Sequence, residues 1–379
     1  MAAHAGPSVA RRRSGCARRG HRPGASHVAA LLIVVALLAC TSPATSPGAT
    51  NARPSAAASP ASATTTAPAA ASPQALERLR VPYVAISASQ LPAWVAEDSG
   101  VFAKYGLDVS LEYIPTGTTL VQTMVAGEAA FGIAGSEAPI SASLAGADIV
   151  ILAPTVDHLL FTIYAVPSVT DPSAMRGKRL AITRVGSSTD FAARQWLDTL
   201  GLRAGDDVAL IQAGGQKEIL ASMQSNGADA GVLSSPTDVE ARHLGYREIA
   251  DLGKLPKPFY QSSLLATRKL INERPDLVRR FVQAIVEADS IIHLDKAAAT
   301  RALAKYAQIT DDEVLEATYE SAVAVVPKVP LPTRDAIESA IELVALTNPE
   351  ARNVDPTRFF DPRFVQELQD SGFIDSLYK

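Results

Sequence analysis

From residue 78 onward the chain alternates between short runs rich in β-branched residues and amphipathic helical stretches, and it does so in two successive series. In the first, strand character over 78–87, 107–113, 130–134 and 149–153 is interleaved with helical character over 93–105, 118–126 and 138–145. The second begins near Met175, with strands over 179–183, 208–212, 230–233 and 247–251 and helices over 190–200, 216–226 and 236–244. A strand at 262–267 precedes helices over 275–293, 296–307, 311–322 and 333–347. Strands alternating with helices build βαβ units, whose sheets are mostly parallel and covered on both faces. The sequence therefore predicts an α/β protein of two similar lobes, each a mostly parallel sheet flanked by helices, followed by a helical C-terminal tail. Such lobes leave a cleft where strand ends and helix starts converge.

The N-terminal region has another character. Six arginines and no acidic residue precede the apolar run at 28–39, which ends at Cys40. A basic start and a short apolar core make a secretory signal, too short to span a bilayer. Leu37-Leu38-Ala39-Cys40 resembles a bacterial lipobox, in which the Cys becomes the first mature residue and carries the lipid. The resemblance implies a signal peptide over 1–39, a lipidated Cys40, and a protein held to the outer face of the cell membrane. A plain signal with an incidental Cys is the alternative, and the paired arginines leave Sec or twin-arginine export open. Residues 41–73 hold six prolines, one charge (Arg53) and no Leu, Ile, Val or aromatic residue. Such a segment cannot offset its ordering entropy by burial, so 40–75 reads as a disordered tether.

Removing 1–39 takes away six of 35 basic residues and none of 39 acidic ones, leaving a net charge of 29 − 39 = −10. That balance argues against coating nucleic acid or anionic lipid by charge alone. Cys16 falls in the discarded segment, so the mature chain has one thiol, with neither a disulfide scaffold nor a cysteine metal site. No cluster of His and carboxylates points to an essential metal, and no cofactor is expected.

Within Leu91–Gly146 the spacing Pro92, Trp94, Ala96, Gly100, Phe102, Gly106, Leu107 and Val109 is followed by Gly117 and by GEAAFG. MRGKRLAITRVGSSTD (Met175–Asp190) and SNGADAGVLSSPTDVEAR (Ser225–Arg242) follow in order. This series, from about residue 79 to about 300, resembles the periplasmic solute-binding proteins of the nitrate/sulfonate/taurine and thiamine-pyrimidine type. One departure is Ala130, where that family often carries Asp. The resemblance implies a two-lobed periplasmic-binding-protein fold, with the first lobe over 76–158, the second over 159–258 and a return over 259–379. It also implies a monomer that captures a small-molecule solute, either a sulfonate-, taurine- or nitrate-like anion or a pyrimidine-like heterocycle, and delivers it to an ABC permease and its ATPase. A sensor subunit presenting ligand to a signalling protein is the alternative. An enzyme on the same fold is disfavoured: the synthase-type relative calls for a Cys-rich motif, and no Cys follows Cys40.

The candidate site residues sit where strands give way to helices. Ser87, Ser89 and Gln90 either bond a ligand or cap the next helix, in which Trp94 either stacks on a ligand or fills the core. Gly117 and Thr118 open a helix whose start either binds an anion or is simply capped. Gly135, Ser136 and Glu137 form the best first-lobe site. Glu137 is either a dipole partner or the acceptor for a ligand amine, and facing the cleft it would disfavour a bare dianion. Arg184, Gly186, Ser187, Ser188 and Thr189 form the best second-lobe site, with hydroxyls, free amides and one guanidinium suited to sulfonate, carboxylate or nitrate. Ser235 joins another strand to a helix. Tyr260 and His158 lie near the crossovers between lobes. There is no phosphate-loop or dinucleotide fingerprint.

Overall fold

The computed structural model describes residues 75–379. The signal, Cys40 and the tether lie outside the described residues. The first series forms β1 (Glu77–Tyr83), α1 (Leu91–Asp98), α2 (Val101–Lys104), β2 (Leu107–Tyr113), α3 (Gly117–Val125), β3 (Phe131–Ala134), α4 (Glu137–Leu144) and β4 (Ile149–Val156). The second forms β5 (Thr162–Ala165), β6 (Arg179–Ile182), α5 (Ser188–Thr199), β7 (Ala209–Gln212), α6 (Gln216–Gln224), β8 (Ala230–Leu233), α7 (Thr237–His243) and β9 (Arg247–Asp251). Then come β10 (Ser262–Thr267) and helices α8 (Arg268–Glu273), α9 (Pro275–Leu294), α10 (Lys296–Ala307), α11 (Asp312–Val323), α12 (Arg334–Val344), α13 (Arg363–Asp370) and α14 (Phe373–Leu377).

Two five-stranded sheets result, in the orders β2-β1-β3-β10-β4 and β7-β6-β8-β5-β9. In each, four strands point one way and one is reversed. The reversed strands are β10, antiparallel to β3 and β4, and β5, antiparallel to β8 and β9. Both follow a crossover between sheets, so the expected mostly parallel sheets are mixed, each with its odd strand where the chain enters. A strand arriving from the other lobe comes in from the cleft end, opposite to strands fed by a flanking helix.

Several local differences have plain causes. β1 ends at Tyr83 rather than 87, and the freed segment turns along the cleft. The helix expected over 93–105 is broken at Gly100, whose left-handed φ of 70° ends one helix and starts another. The sequence reading missed β5, α8, α13 and α14.

The core follows the sheets. Trp94, Phe102, Phe131, Phe281 and Ile285 lie between the first sheet and α1, α2, α9 and α10. Phe281 stacks on Phe131 with centroids 4.0 Å apart. Its amphipathic pattern buries α9 along nearly its whole length, and α13 and α14 cover it further. A second cluster runs from α4 and α12 through Leu159, Phe161, Phe259 and Tyr260 into the inner face of the second sheet. The crossovers are therefore packed in apolar surroundings and not solvated links.

Candidate functional site

A cavity of about 620 Å³ opens between the two sheets, lined from the first by the loop after β1 and the starts of α3 and α4, and from the second by the starts of α5, α6 and α7. That volume is ordinary for a small-molecule site. Ser87, Ser89, Gln90, Gly117, Gly135, Glu137, Arg184, Ser187, Ser188 and Thr189 all line it.

On the first-lobe wall, the Ser87 and Ser89 hydroxyls are 2.9 Å apart, and Gln90 Nε2 donates to Ser89 Oγ at 3.0 Å. Gln90 Oε1 is buried without a hydrogen-bond partner among the described residues, and so is Glu137 Oε2. Glu137, 5 % exposed, folds its carboxyl back over Gly135. A Cβ at residue 135 would stand 2.3 Å from Glu137 Oε2, so this strand end must be glycine for the carboxyl to lie there. Burial pushes the Glu137 pKa up, opposed by the charge of Arg184 and by its own backbone.

On the second-lobe wall, Thr183 Oγ1, Ser187 Oγ and Thr189 Oγ1 form a triangle with edges of 2.8–2.9 Å. Ser187 caps α5 through the Asp190 amide, and helix geometry leaves the amides of Ser188 and Thr189 without intrahelical acceptors. Asp190, fully buried, braces the loop by accepting from the Gly186 amide at 2.8 Å and from Arg194 Nε at 2.7 Å. The Arg184 side chain reaches across: its Nη2 is 3.8 Å from where a Cβ of Gly117 would be. The walls also meet directly, where the Ala88 amide donates to the Ser235 carbonyl at 3.2 Å.

Seven expected residues stand elsewhere. Trp94 is fully buried and stacks on Tyr306 with centroids 5.7 Å apart, so it fills the core. The Ser136 hydroxyl donates to the Tyr260 carbonyl at 3.1 Å, staking α4 to the returning crossover. The Tyr260 hydroxyl bonds Thr333 Oγ1 at 2.8 Å and points to the start of α12. Ser235 Oγ donates to Asp238 at 2.7 Å. Thr118 faces solvent, and Gly186 shapes the loop behind the site without lining it. His158, outside the cavity, pairs with Asp157.

The sequence reading missed Thr183, Gln216, Lys217 and Gln261, which also line the cavity. Gln216 and Lys217 follow Gly214-Gly215 at a helix start, the same signal that marked the other loops. Gln261 gave no such signal; it is placed by the return crossover, where its Oε1 accepts from the Leu160 amide at 2.5 Å.

The model of the family described as "NMT1/THI5 like" matches residues 88–294, more than half of the chain and both walls of the cleft. The chain belongs to the NMT1/THI5-like family. Beyond the family model, a Brucella abortus protein named, provisionally, as a binding protein is 24 % identical over 216 residues, covering 56 % of this chain and 66 % of that one. Among solved structures, the periplasmic aliphatic sulphonate binding protein of Escherichia coli superposes with a TM-score of 0.62 at 19 % identity, covering 76 % of this chain and 92 % of the other. The periplasmic nitrate-binding protein of Synechocystis gives 0.63 at 13 % identity, covering 80 % and 91 %. At these identities the structural likeness establishes the periplasmic-binding-protein fold of this NMT1/THI5-like chain. Among its described residues no group of three or more His, Cys, Asp or Glu is placed to hold a metal ion, and no helix is long and apolar enough to cross a membrane.

Proposed function

We propose that this chain is the extracytoplasmic solute-binding subunit of an ABC importer, taking a small organic solute with a sulfonate- or nitrate-like acidic group. The observation that carries the reading is the composition of the cavity: both sheets contribute to one site, with the α5 hydroxyls and the Arg184 guanidinium on one side and Glu137 on the other. A helix start with free amides, hydroxyls and a nearby guanidinium is an anion site. The sulphonate- and nitrate-binding neighbours support that choice.

In this reading 76–158 and 259–379 form one lobe and 159–258 the other, which matches the membership of the two sheets. The lobes close on a solute that touches both, since only a ligand binding the closed form more tightly shifts the equilibrium toward it. Cys40 carries a lipid that holds the receptor at the outer membrane face, and 40–75 is the tether. No catalytic role is proposed; a sensor subunit remains the second reading.

Small-angle scattering of the full chain, with and without a panel of alkanesulfonates, nitrate and aromatic carboxylates, tests the receptor. Expected is a smaller radius of gyration together with a thermal stabilisation of about 2.7 kcal/mol at 100 times the dissociation constant. Stabilisation without compaction would count against closure. Metabolic labelling with a fatty acid checks the anchor, and label persisting in Cys40→Ser would refute it.

A further inference from the structure

Helix α7 follows a strand of the second sheet but does not pack there alone. Ala241 belongs to the small cluster on that sheet, whereas Val239, also buried, belongs to the large cluster of the first lobe, together with Val314 and Tyr319 of α11. Residues two apart on a helix point about 200° apart, so α7 gives one face to each lobe. Polar contacts run along the same boundary. Ser235 Oγ stands 3.3 Å from Ser321 Oγ. Arg242 Nη2 and His243 Nε2 lie 3.1 and 3.3 Å from the same oxygen, Glu313 Oε1. The Ala88 amide donates to the Ser235 carbonyl across it. The crossovers 157–161 and 252–261 join the lobes through the chain; this junction joins them side by side. Glu240 and His243 of α7 and Asp311 and Val314 at the start of α11 line the cavity beside it, so parting the junction widens the cleft.

We infer that α7 and α11 form a latch between the lobes, with Val239 as its apolar pin and Arg242, His243 and Glu313 as its ionic clasp, and that this contact sets how readily the cleft opens. The inference needs no solute and stands whichever one the cleft takes. Val239, Arg242 and Glu313 do not line the cavity, so they act as positioning residues, through the approach of the lobes. A contact made only with the lobes together stabilises that form alone, and so shifts the population toward it before any solute arrives. The pin is the stronger part, because it withdraws a whole apolar side chain from water. The clasp is exposed, contributes less and is screened by salt. Its charges fix which turn of α7 meets which turn of α11.

Residue-resolved hydrogen exchange of the full chain, with no solute added, tests this. The Ala88 amide is the reporter, because its acceptor lies in the other lobe. The amides of α9, buried within the first lobe, are the control. Val239→Ala should speed exchange at Ala88 about 10- to 20-fold, the equivalent of two buried methylenes. Glu313→Arg and Arg242→Glu should each speed it about two- to fivefold, the range for an exposed ion pair. In all three the α9 amides should keep their native rates. The variant carrying both charge reversals should return Ala88 to its native rate. A native rate at Ala88 in Val239→Ala would overturn the latch. So would an equal speeding at α9, which would assign the contact to the stability of the first lobe and not to its approach to the second. A double reversal as fast as either single one would overturn the clasp.

Discussion

The two sheets share a topology but not a thickness of cover. On the outer face of the first, 44 buried apolar residues form one cluster, most of them from the sheet and from α1, α2, α9, α10, α11, α13 and α14. On the corresponding face of the second, eight buried residues, among them Tyr164, Ile219, Met223 and Leu233, are covered by α6 and α7 alone. The edge strands show a weaker contrast: β4 is buried throughout and β2 buries only Leu107 and Val109, whereas β7 and β9 have no buried residue. The C-terminal helices make the difference, since all of them follow the return to the first sheet. One lobe is thus built as a heavy base and the other as a light wall, and low local stability is where opening and closing motions are drawn from.

The largest effect should come from matched truncations. Ile285 and Ile219 are both fully buried, one in each cluster. Ile285→Ala should cost about 4–5 kcal/mol, where the surroundings cannot collapse, and Ile219→Ala nearer about 2 kcal/mol, within the range for such changes. Denaturant titration reads both, and hydrogen exchange should show the second change confined to α6 and α7. Equal costs would break the contrast.

A pH experiment sharpens it. Asp289 lies fully buried in α9 with neither carboxyl oxygen hydrogen-bonded among the described residues, and burial raises its pKa well above the usual carboxylate range, with Asp157 adding to the shift. Because the folded pKa is the higher one, the unfolded chain releases this proton first. The stability from this group is therefore full below about pH 4 and is lost as pH rises toward the folded value. Asp289→Asn should gain on the native protein with rising pH above about 4, by denaturant titration across pH 4–8. Asp238 in the light wall is also raised by burial but is held by Ser235 and the Val239 amide, so its Asn variant should show less gain. A flat difference for Asp289→Asn would mean that the carboxyl is hydrated or paired.

The smallest effect belongs to the surface. Arg78 and Asp108 are 3.3 Å apart with side chains 88 % and 53 % exposed. Arg78→Ala should change stability by less than about 0.5 kcal/mol, even on the heavy lobe. A larger loss would mean that the edge of the first sheet depends on charge as well as packing.

Much of this was legible from residue patterns. Strands Leu107–Tyr113, Ala230–Leu233, Arg247–Asp251 and Ser262–Thr267 and helix Lys296–Ala307 fall where periodicity and turn residues place them. Leu107, Ala230 and Lys296 directly follow Gly106, Asp229 and Asp295, and Arg247 comes two residues after Gly245, so there local preference and tertiary fold agree. β5 was missed because its four residues sit in a continuous apolar stretch with no alternation to read. The polar loops at helix starts were readable as candidates for the site, because a strand–Gly/Ser–helix junction always leaves amides free. Which of them face one another was not. Ser136 and Ser187 look alike in sequence, yet one is spent on a carbonyl behind the cleft and the other lines it.

The sequence by itself determined the alternation of strands and helices, the division into two series, and the chemistry available at each junction, because these depend on period, turn residues and capping within a dozen positions. Only the tertiary structure decided that β5 and β10 run against their sheets, that Trp94 and Tyr260 turn into the core, and that Glu137 and Arg184 face one cavity. Those outcomes depend on contacts between residues tens to hundreds of positions apart, where packing and the direction of chain entry choose among conformations that local preference leaves equal.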